Sequence, residues 1–213
     1  MLLLHFKIFV LCFKFNFGRN NFSFRRIKYL KFIEMDATLV LDFLNQLKTN
    51  NNREWFQENK KWYEAAKKEV ETFVTAMITS ISAIDPALQS PAMKDCMFRI
   101  FRDVRFGADK SPYKTNFGAF IARGGRKSNF PGYYFHFEPG QCMLAAGVYQ
   151  PQPDTLKLLR DEVYFHAPEL KEILAKPSFK KHFDSLGDFD KMKKAPKDYP
   201  ADFPDIDLLK YRS

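Results

Sequence analysis

The spacing of apolar residues changes partway along this chain, and that change is the strongest constraint on its fold. From Met35 to about Ile84, apolar residues recur every three or four positions, as on one face of a helix. From 132 to 150 the period is two, and Pro139-Gly140 marks a turn. The two alternating sets are Tyr133, Phe135 and Phe137, and Tyr134, His136 and Glu138. The sequence therefore predicts helices followed by an antiparallel hairpin.

The helical part divides at a run of asparagines. One amphipathic helix runs from Met35 to about Leu47 and stops at the turn residues 49–52. A second helical region runs from Arg53 to about Ile84, with Asn52 as its N-cap and Asp85-Pro86 as its stop.

Further elements complete the prediction. Residues 116–122 and 97–101 have the composition of strands. Pro153 and Asp154 suit the first turn of a helix, and a short helix begins at Pro168. We expect an α+β fold with N-terminal helices, a central and mainly antiparallel sheet that contains the hairpin, and C-terminal helices.

Positive charge is unevenly distributed. The chain has 213 residues and a formal net charge of +9, of which residues 1–34 contribute +6. Those residues lack the uninterrupted apolar run and small-residue cleavage site of a secretory signal. We expect them to be an atypical N-terminal extension, either not native or disordered, and the only part able to meet a membrane. Residues 35–213 are expected to form a single α+β domain.

The strongest catalytic sequence motifs are missing. There is no phosphate-binding loop of the Walker type, no G-x-G-x-x-G, no H-E-x-x-H and no G-x-S-x-G. The three cysteines have no C-x-x-C spacing, so neither a zinc knuckle nor a disulfide framework is indicated, and a cytoplasmic location is expected. His136 and Glu138 share a strand face, which suits an acid–base pair, two metal ligands or a structural hydrogen bond. No metal is predicted, and the cofactor is unknown.

Most of the remaining positive charge lies in one segment. Residues 99–127 contain eight Lys or Arg and two acidic residues, whereas the rest of the chain after Met35 has a net charge of −3. Such a concentration attracts phosphates and carboxylates. If 97–103 is extended, Arg99 and Arg102 point to opposite sides. The alternative is structural: Arg102 and Arg105 would pair with Asp103, Asp109 and other acids.

The segment "RIFRDVRFGADKSPY", residues 99–113, resembles the signature R-x-x-R-D-x-R-F-x-x-D-K-x-x-Y of an uncharacterised, mainly bacterial family of conserved proteins, a domain of unknown function. Similarity extends over nearly everything after Met35, including "NNNREWFQENKKWYE" and "PGYYFHFEPG". The resemblance implies no activity, cofactor or catalytic residue. It also implies that the N-terminal extension is atypical and that the C-terminal end is truncated.

Three functions are compatible with this basic segment. The first is binding of a small anionic or phosphorylated ligand, and whether the protein is an enzyme stays open. The expected ligand-binding residues are Arg99, Arg102, Arg105, Lys110, Tyr113 and Lys114. The catalytic candidates are Asp103, Asp109 and His136. The weaker alternative is nucleic-acid binding, with Phe101, Phe106 and Tyr113 as stacking residues. A third possibility is a structural or interaction protein whose motif is a salt-bridge network. The oligomeric state is not indicated.

Overall fold

The computed structural model describes residues 35–105, 108–183, 185–187 and 190–212. The expectations for residues 1–34, and for Phe106 as a stacking residue, fall outside these ranges. The described chain divides into two compact units, residues 35–146 and residues 147–212.

Three helices open the first unit. Helix α1 spans Ala37–Thr49, α2 spans Arg53–Glu58 and α3 spans Lys60–Ser82. The side chain of Asp36 caps α1 by accepting the Leu39 N–H at 2.8 Å, and Asn52 caps α2 by accepting the Trp55 N–H at 2.9 Å. The predicted second helical region is thus two helices, separated at Asn59.

The helices bury one apolar face against the sheet. The fully or almost fully buried side chains of α1 and α3 follow the helical spacing seen in the sequence, and they are Val40, Phe43, Leu44, Leu47, Ala66, Val70, Phe73, Val74, Met77 and Ile81. The Phe73 ring packs edge-on against Phe135 and Phe137, each with a centroid distance of 5.4 Å. Burying a Val, Leu, Ile, Phe or Met side chain contributes about 1.5–3 kcal/mol, so this layer holds the unit together.

The sheet has three antiparallel strands in the order β1-β2-β3. Strand β1 is Phe117–Ala122, β2 is Gly132–Phe137 and β3 is Met143–Gly147. Gly118 lies opposite His136 in the register of β1 and β2. The turn between β2 and β3 is closed by the Gln141 N–H donating to the Glu138 carbonyl at 3.0 Å. Gly140 has φ +79°, a conformation that glycine adopts without strain.

One predicted strand was wrong. Residues 97–101 form only two isolated bridges, Met97 with Ala119 and Phe101 with Tyr113. A short helix α4, Met93–Cys96, immediately precedes them. Met97 pairs with a residue of strand β1, whereas Phe101 pairs with Tyr113, which precedes that strand. No single neighbouring strand therefore runs beside the whole segment, which a regular strand would require.

The second unit consists mainly of α5, Pro153–Ala175, with the short helix α6, Pro177–Lys180, and a 3-10 turn at Ile206–Lys210. The predicted start at Pro168 corresponds to a kink inside α5: His166 has non-helical φ and ψ, because proline cannot donate an N–H to the preceding turn. Arg160 of α5 donates from Nε to the Leu209 carbonyl at 2.9 Å, which holds the 3-10 turn against the helix.

The predicted α+β fold is confirmed. Helices lead into a central antiparallel sheet, and helices follow it. Among the helices that the structure describes, none combines the length and the apolar composition needed to cross a bilayer.

Candidate functional site

The basic motif folds into a loop with a closed base. The Arg102 N–H donates to the Pro112 carbonyl at 2.9 Å, and the Lys114 N–H donates to the Ile100 carbonyl at 2.8 Å. Together with the Phe101–Tyr113 bridge, these bonds bring both ends of the motif side by side. The described residues between 103 and 111, which are 103–105 and 108–111, therefore extend from a fixed base.

Asn51 and Phe56 hold that base against the helices. The Asn51 side chain donates from Nδ2 to the Tyr113 carbonyl at 2.9 Å and accepts the Tyr113 N–H on Oδ1 at 3.1 Å. The Tyr113 ring stacks on Phe56 at a centroid distance of 3.9 Å and an interplanar angle of 11°. Tyr113 is only 3% exposed. Tyr113 therefore anchors the loop, and little of its ring surface is left for a ligand or a nucleobase to stack on.

Two ion pairs lie within the loop. The Arg105 guanidinium donates to both carboxylate oxygens of Asp103, at 3.0 and 2.7 Å. Arg102 donates from a terminal nitrogen to Asp109 Oδ2 at 2.9 Å. Both carboxylates are stabilised in the charged form: the bonds from Arg105 lower the pKa of Asp103, and the bonds from Ser111, followed by the charge of Arg102, lower the pKa of Asp109. These carboxylates are hydrogen-bond acceptors here.

Lys110 also turns into the loop. Its Nζ donates to the Val104 carbonyl at 2.9 Å, although the residue is exposed. Such a bond to a backbone carbonyl leaves the ammonium charge unneutralised but fixes its position. Lys110 thus stabilises the loop in this state.

Arg99 and Arg102 both lie close enough to Lys114 to influence it electrostatically. Burial lowers the pKa of Lys114, and the charges of Arg99 and Arg102 lower it further. Lys114 Nζ lies 5.7 Å from the centroid of the Phe98 ring. In the described part of the chain, neither Arg99 nor Lys114 forms an ion pair. This positive cluster, defined as Arg99, Arg102 and Lys114, therefore carries more positive charge than its acidic neighbours neutralise.

A hydrogen-bonded chain of side chains extends along the outer face of β2. The Tyr134 hydroxyl lies 2.8 Å from His136 Nδ1, and His136 Nε2 lies 2.9 Å from Glu138 Oε2. Thr115 donates to the other oxygen of Glu138 at 3.0 Å. Burial tends to raise the pKa of Glu138, but the hydrogen bonds from His136 and Thr115 outweigh it and the net shift is downward. The predicted sharing of one face by Tyr134, His136 and Glu138 is confirmed.

Gly118 leaves space for this row of hydrogen-bonded side chains. A Cβ at Gly118 would lie 3.1 Å from the Tyr134 hydroxyl and 3.4 Å from Cδ2 of Phe98. The backbone N–H of Phe98 donates to the Gly118 carbonyl at 3.0 Å. The Phe98 ring packs edge-on against Tyr134 at 6.2 Å. Phe98 thus has Lys114 near one side and Tyr134 near another.

The structure places the predicted site residues in four different settings. Arg99, Arg102 and Lys114 form the positive cluster, whereas Arg105, Lys110, Asp103 and Asp109 make contacts within the loop. Tyr113 is buried, and His136 lies in the strand β2. Sequence reasoning missed Asn51, Phe98 and Tyr134 as parts of the site. Only Tyr134 had a detectable signal, since it shares a strand face with His136.

No group of three or more potential metal-ligating side chains occurs within the described residues. His136 and Glu138 would supply two ligands at most. One surface depression of about 460 Å³ is lined by Lys68, Glu71, Thr72, Thr75, Ala76 and Met93, and none of these residues belongs to the motif.

A family model described as "Conserved hypothetical protein (DUF2461)" matches residues 39–213, which include the closed loop, the positive cluster and the outer face of β2. The chain belongs to the DUF2461 family. The resemblance noted from the sequence is thereby confirmed at the level of the family. No curated protein and no solved structure matches the chain. For this DUF2461 protein, the case for a function accordingly depends on the geometry described above.

Proposed function

We propose that this DUF2461 protein is a cytoplasmic domain of bacterial type that binds a small anionic or phosphorylated ligand at the positive cluster of Arg99, Arg102 and Lys114. The remaining expected ligand residues, Arg105, Lys110 and Tyr113, would then position the loop that carries Arg102.

The observation that supports this proposal is the uneven pairing of charges. Arg105 is neutralised by Asp103, and Arg102 shares one terminal nitrogen with Asp109. Arg99 is exposed and Lys114 is half-buried, and among the described residues neither forms an ion pair with a carboxylate, although the charge of Arg99 does act on Asp103. An oxyanion would supply the missing negative charge.

The chemistry of the three side chains suits an oxyanion. A guanidinium offers paired N–H donors that match the oxygens of a phosphate or carboxylate, and an ammonium adds a compact point charge. Arg102 is held on two sides, because a terminal nitrogen lies 3.4 Å from the Tyr113 carbonyl while another donates to Asp109. Among the described residues, the buried Arg102 Nε has no hydrogen-bond partner.

A thermal-shift titration with inorganic phosphate, pyrophosphate and sulfate tests the proposal. Binding to the folded state raises the melting temperature in proportion to the logarithm of anion concentration above Kd. We expect stabilisation of the wild type and its loss in Arg99→Met. Arg123→Met is the matched control, since Arg123 lies outside the cluster and packs over Phe130 at 5.0 Å. No response to any of the three anions would refute the proposal.

Nucleic-acid binding is the competing proposal. It retains one favourable observation, since Phe101 is 49% exposed beside the cluster. Filter binding of a single-stranded oligonucleotide at two salt concentrations distinguishes nucleic-acid binding from binding of a small anion. Backbone binding weakens steeply with salt, and an oligonucleotide affinity with that behaviour, combined with no response to small anions, would favour the competitor.

A further inference from the structure

The hydrogen-bond partners of His136 determine which ring nitrogen carries the proton. Glu138 accepts hydrogen bonds, so Nε2, 2.9 Å from Oε2, is the protonated nitrogen. Asn116 presents its Nδ2 to Nδ1 at 3.5 Å, and an amide nitrogen can only donate. Nδ1 is therefore the acceptor in neutral His136, and the Tyr134 hydroxyl, 2.8 Å away, donates to it. The order of donation is Tyr134 to His136 to Glu138.

His136 has no ring nitrogen left for a substrate. Both are engaged by side chains on the same face of β2 and its neighbourhood. Any proton that reaches His136 Nδ1 must consequently come through the Tyr134 hydroxyl. A hydroxyl aligned on an imidazole that is itself oriented by a carboxylate is the arrangement by which nucleophilic side chains are activated.

Tyr134 also has a structural link to the positive cluster. Its ring packs against Phe98, and Lys114 Nζ lies over the ring of Phe98 at 5.7 Å. The absence of a side chain at Gly118 leaves the space into which the Tyr134 hydroxyl reaches. Phe98 thus contacts both the ring of Tyr134 and the lysine of the positive cluster.

We propose that Tyr134 is a base-activated nucleophile and that His136 is its base, with Glu138 as the residue that orients and stabilises His136. The substrate class is a phosphate ester, and this choice of class rests on the proposed function. The assignment of Tyr134 as nucleophile rests on the hydrogen-bonded chain alone.

The step balances without a further reactant. Tyr134 Oη forms a bond to phosphorus, and the phosphorus–oxygen bond to the leaving group breaks, the leaving oxygen keeping the electron pair. The Tyr134 proton moves to His136 Nδ1, and the resulting imidazolium is stabilised by the carboxylate of Glu138. Return of that proton to the leaving oxygen restores neutral His136, with Tyr134 phosphorylated until water displaces the group.

Labelling with p-toluenesulfonyl fluoride tests the nucleophile directly, because the phenol oxygen attacks sulfur and fluoride leaves. Peptide mapping by mass spectrometry measures the rate at each tyrosine of the full chain. We expect Tyr134 to be labelled at least about tenfold faster than Tyr149, although Tyr149 is 67% exposed, because general-base assistance accelerates such reactions by about 100-fold or more. Labelling of Tyr134 no faster than that of Tyr149 would overturn the proposal.

Variants identify the base. His136→Phe is expected to slow Tyr134 labelling at least about tenfold, and Glu138→Gln to slow it less, since the imidazole keeps an acceptor but loses the charge that stabilises imidazolium. Tyr133→Phe, on the same strand, is the matched control and should leave the rate unchanged. If His136→Phe does not fold, the ratio of Tyr134 to Tyr149 labelling rates in the wild type and the rate in Glu138→Gln still test the proposal. Unchanged labelling in Glu138→Gln would overturn the relay.

Inorganic phosphate separates the two proposals. Protection of Tyr134 from labelling supports both the nucleophile and its phosphate-ester class. Fast labelling with no protection supports the nucleophile and contradicts that class. Slow labelling in a protein that phosphate nevertheless stabilises overturns Tyr134 as nucleophile, while the proposed function stands.

Discussion

The side-chain amide of Asn51 bonds both backbone polar groups of Tyr113, which lies 62 positions later in the chain. This pair of bonds ties the base of the basic loop to the connection between α1 and α2. This contact also stabilises the positive cluster, because Arg102 and Lys114 flank Tyr113 in the closed base of the loop.

Asn51→Ala is expected to lower the free energy of unfolding by about 2 kcal/mol, because it leaves the N–H of a buried residue without its partner. Asn50→Ala is the control: the Asn50 side chain donates to the Gln46 carbonyl in an exposed setting, so its removal should cost well under about 1 kcal/mol. Urea denaturation measures both. Equal losses in the two variants would contradict the anchoring role.

Gly118→Ala should destabilise the protein by about 1–2 kcal/mol, because the new Cβ would lie 3.1 Å from the Tyr134 hydroxyl. In a Tyr134→Phe background the same change should cost clearly less, since the crowded oxygen is gone. A double-mutant cycle from chemical denaturation gives the coupling. Additive losses would show that Gly118 and the hydroxyl are not in contact.

Glu138 is expected to make a contribution to the free energy of unfolding that is lost in acid. Its folded pKa is lowered from the ordinary value of 4.5. A depressed carboxyl pKa stabilises the folded state above the unfolded pKa, and this contribution is lost as pH falls through the folded pKa. The wild type should therefore lose stability relative to Glu138→Gln below about pH 4.5. Parallel pH profiles of unfolding free energy for the two proteins would contradict the prediction.

Lys114 is expected to titrate below its ordinary value of 10.5, because burial and then the charges of Arg99 and Arg102 disfavour the ammonium form. The charged form is thus less stable in the folded protein, and anion affinity should fall as pH rises through this lowered pKa. Arg99→Met should raise the pKa of Lys114, whereas Arg123→Met should not. NMR titration of the lysine side-chain carbons measures the shift. An unchanged Lys114 pKa in Arg99→Met would show that the two charges do not interact.

The sequence predicted most of the first unit because its signals are local. The helical spacing of Val40, Phe43 and Leu47 and the alternation around His136 each follow from a neighbourhood of a few residues. The same alternation correctly placed Tyr134, His136 and Glu138 on one face. What the pattern could not give was the order of hydrogen bonds along that face, which depends on side-chain conformations.

The parts of the site that sequence reasoning missed depend on long-range contacts. Asn51 resembled one more turn residue, since nothing near it indicates that its partner is Tyr113. Residues 97–101 have strand composition, but their two bridges reach different partners, a feature that composition does not encode. The sequence shows how many arginines the segment contains. Which of them bond within the loop and which join the positive cluster depends on how the base of the loop is closed.

Calorimetric titration of pyrophosphate into the wild type, Lys114→Met and Lys127→Met tests the central claim most directly. Lys127 is an exposed lysine outside the positive cluster and serves as the charge-matched control. The account predicts saturable binding to the wild type and to Lys127→Met, with affinity reduced at least about tenfold in Lys114→Met through loss of one charge-assisted contact. No saturable binding to the wild type, or equal affinity in all three proteins, would contradict it.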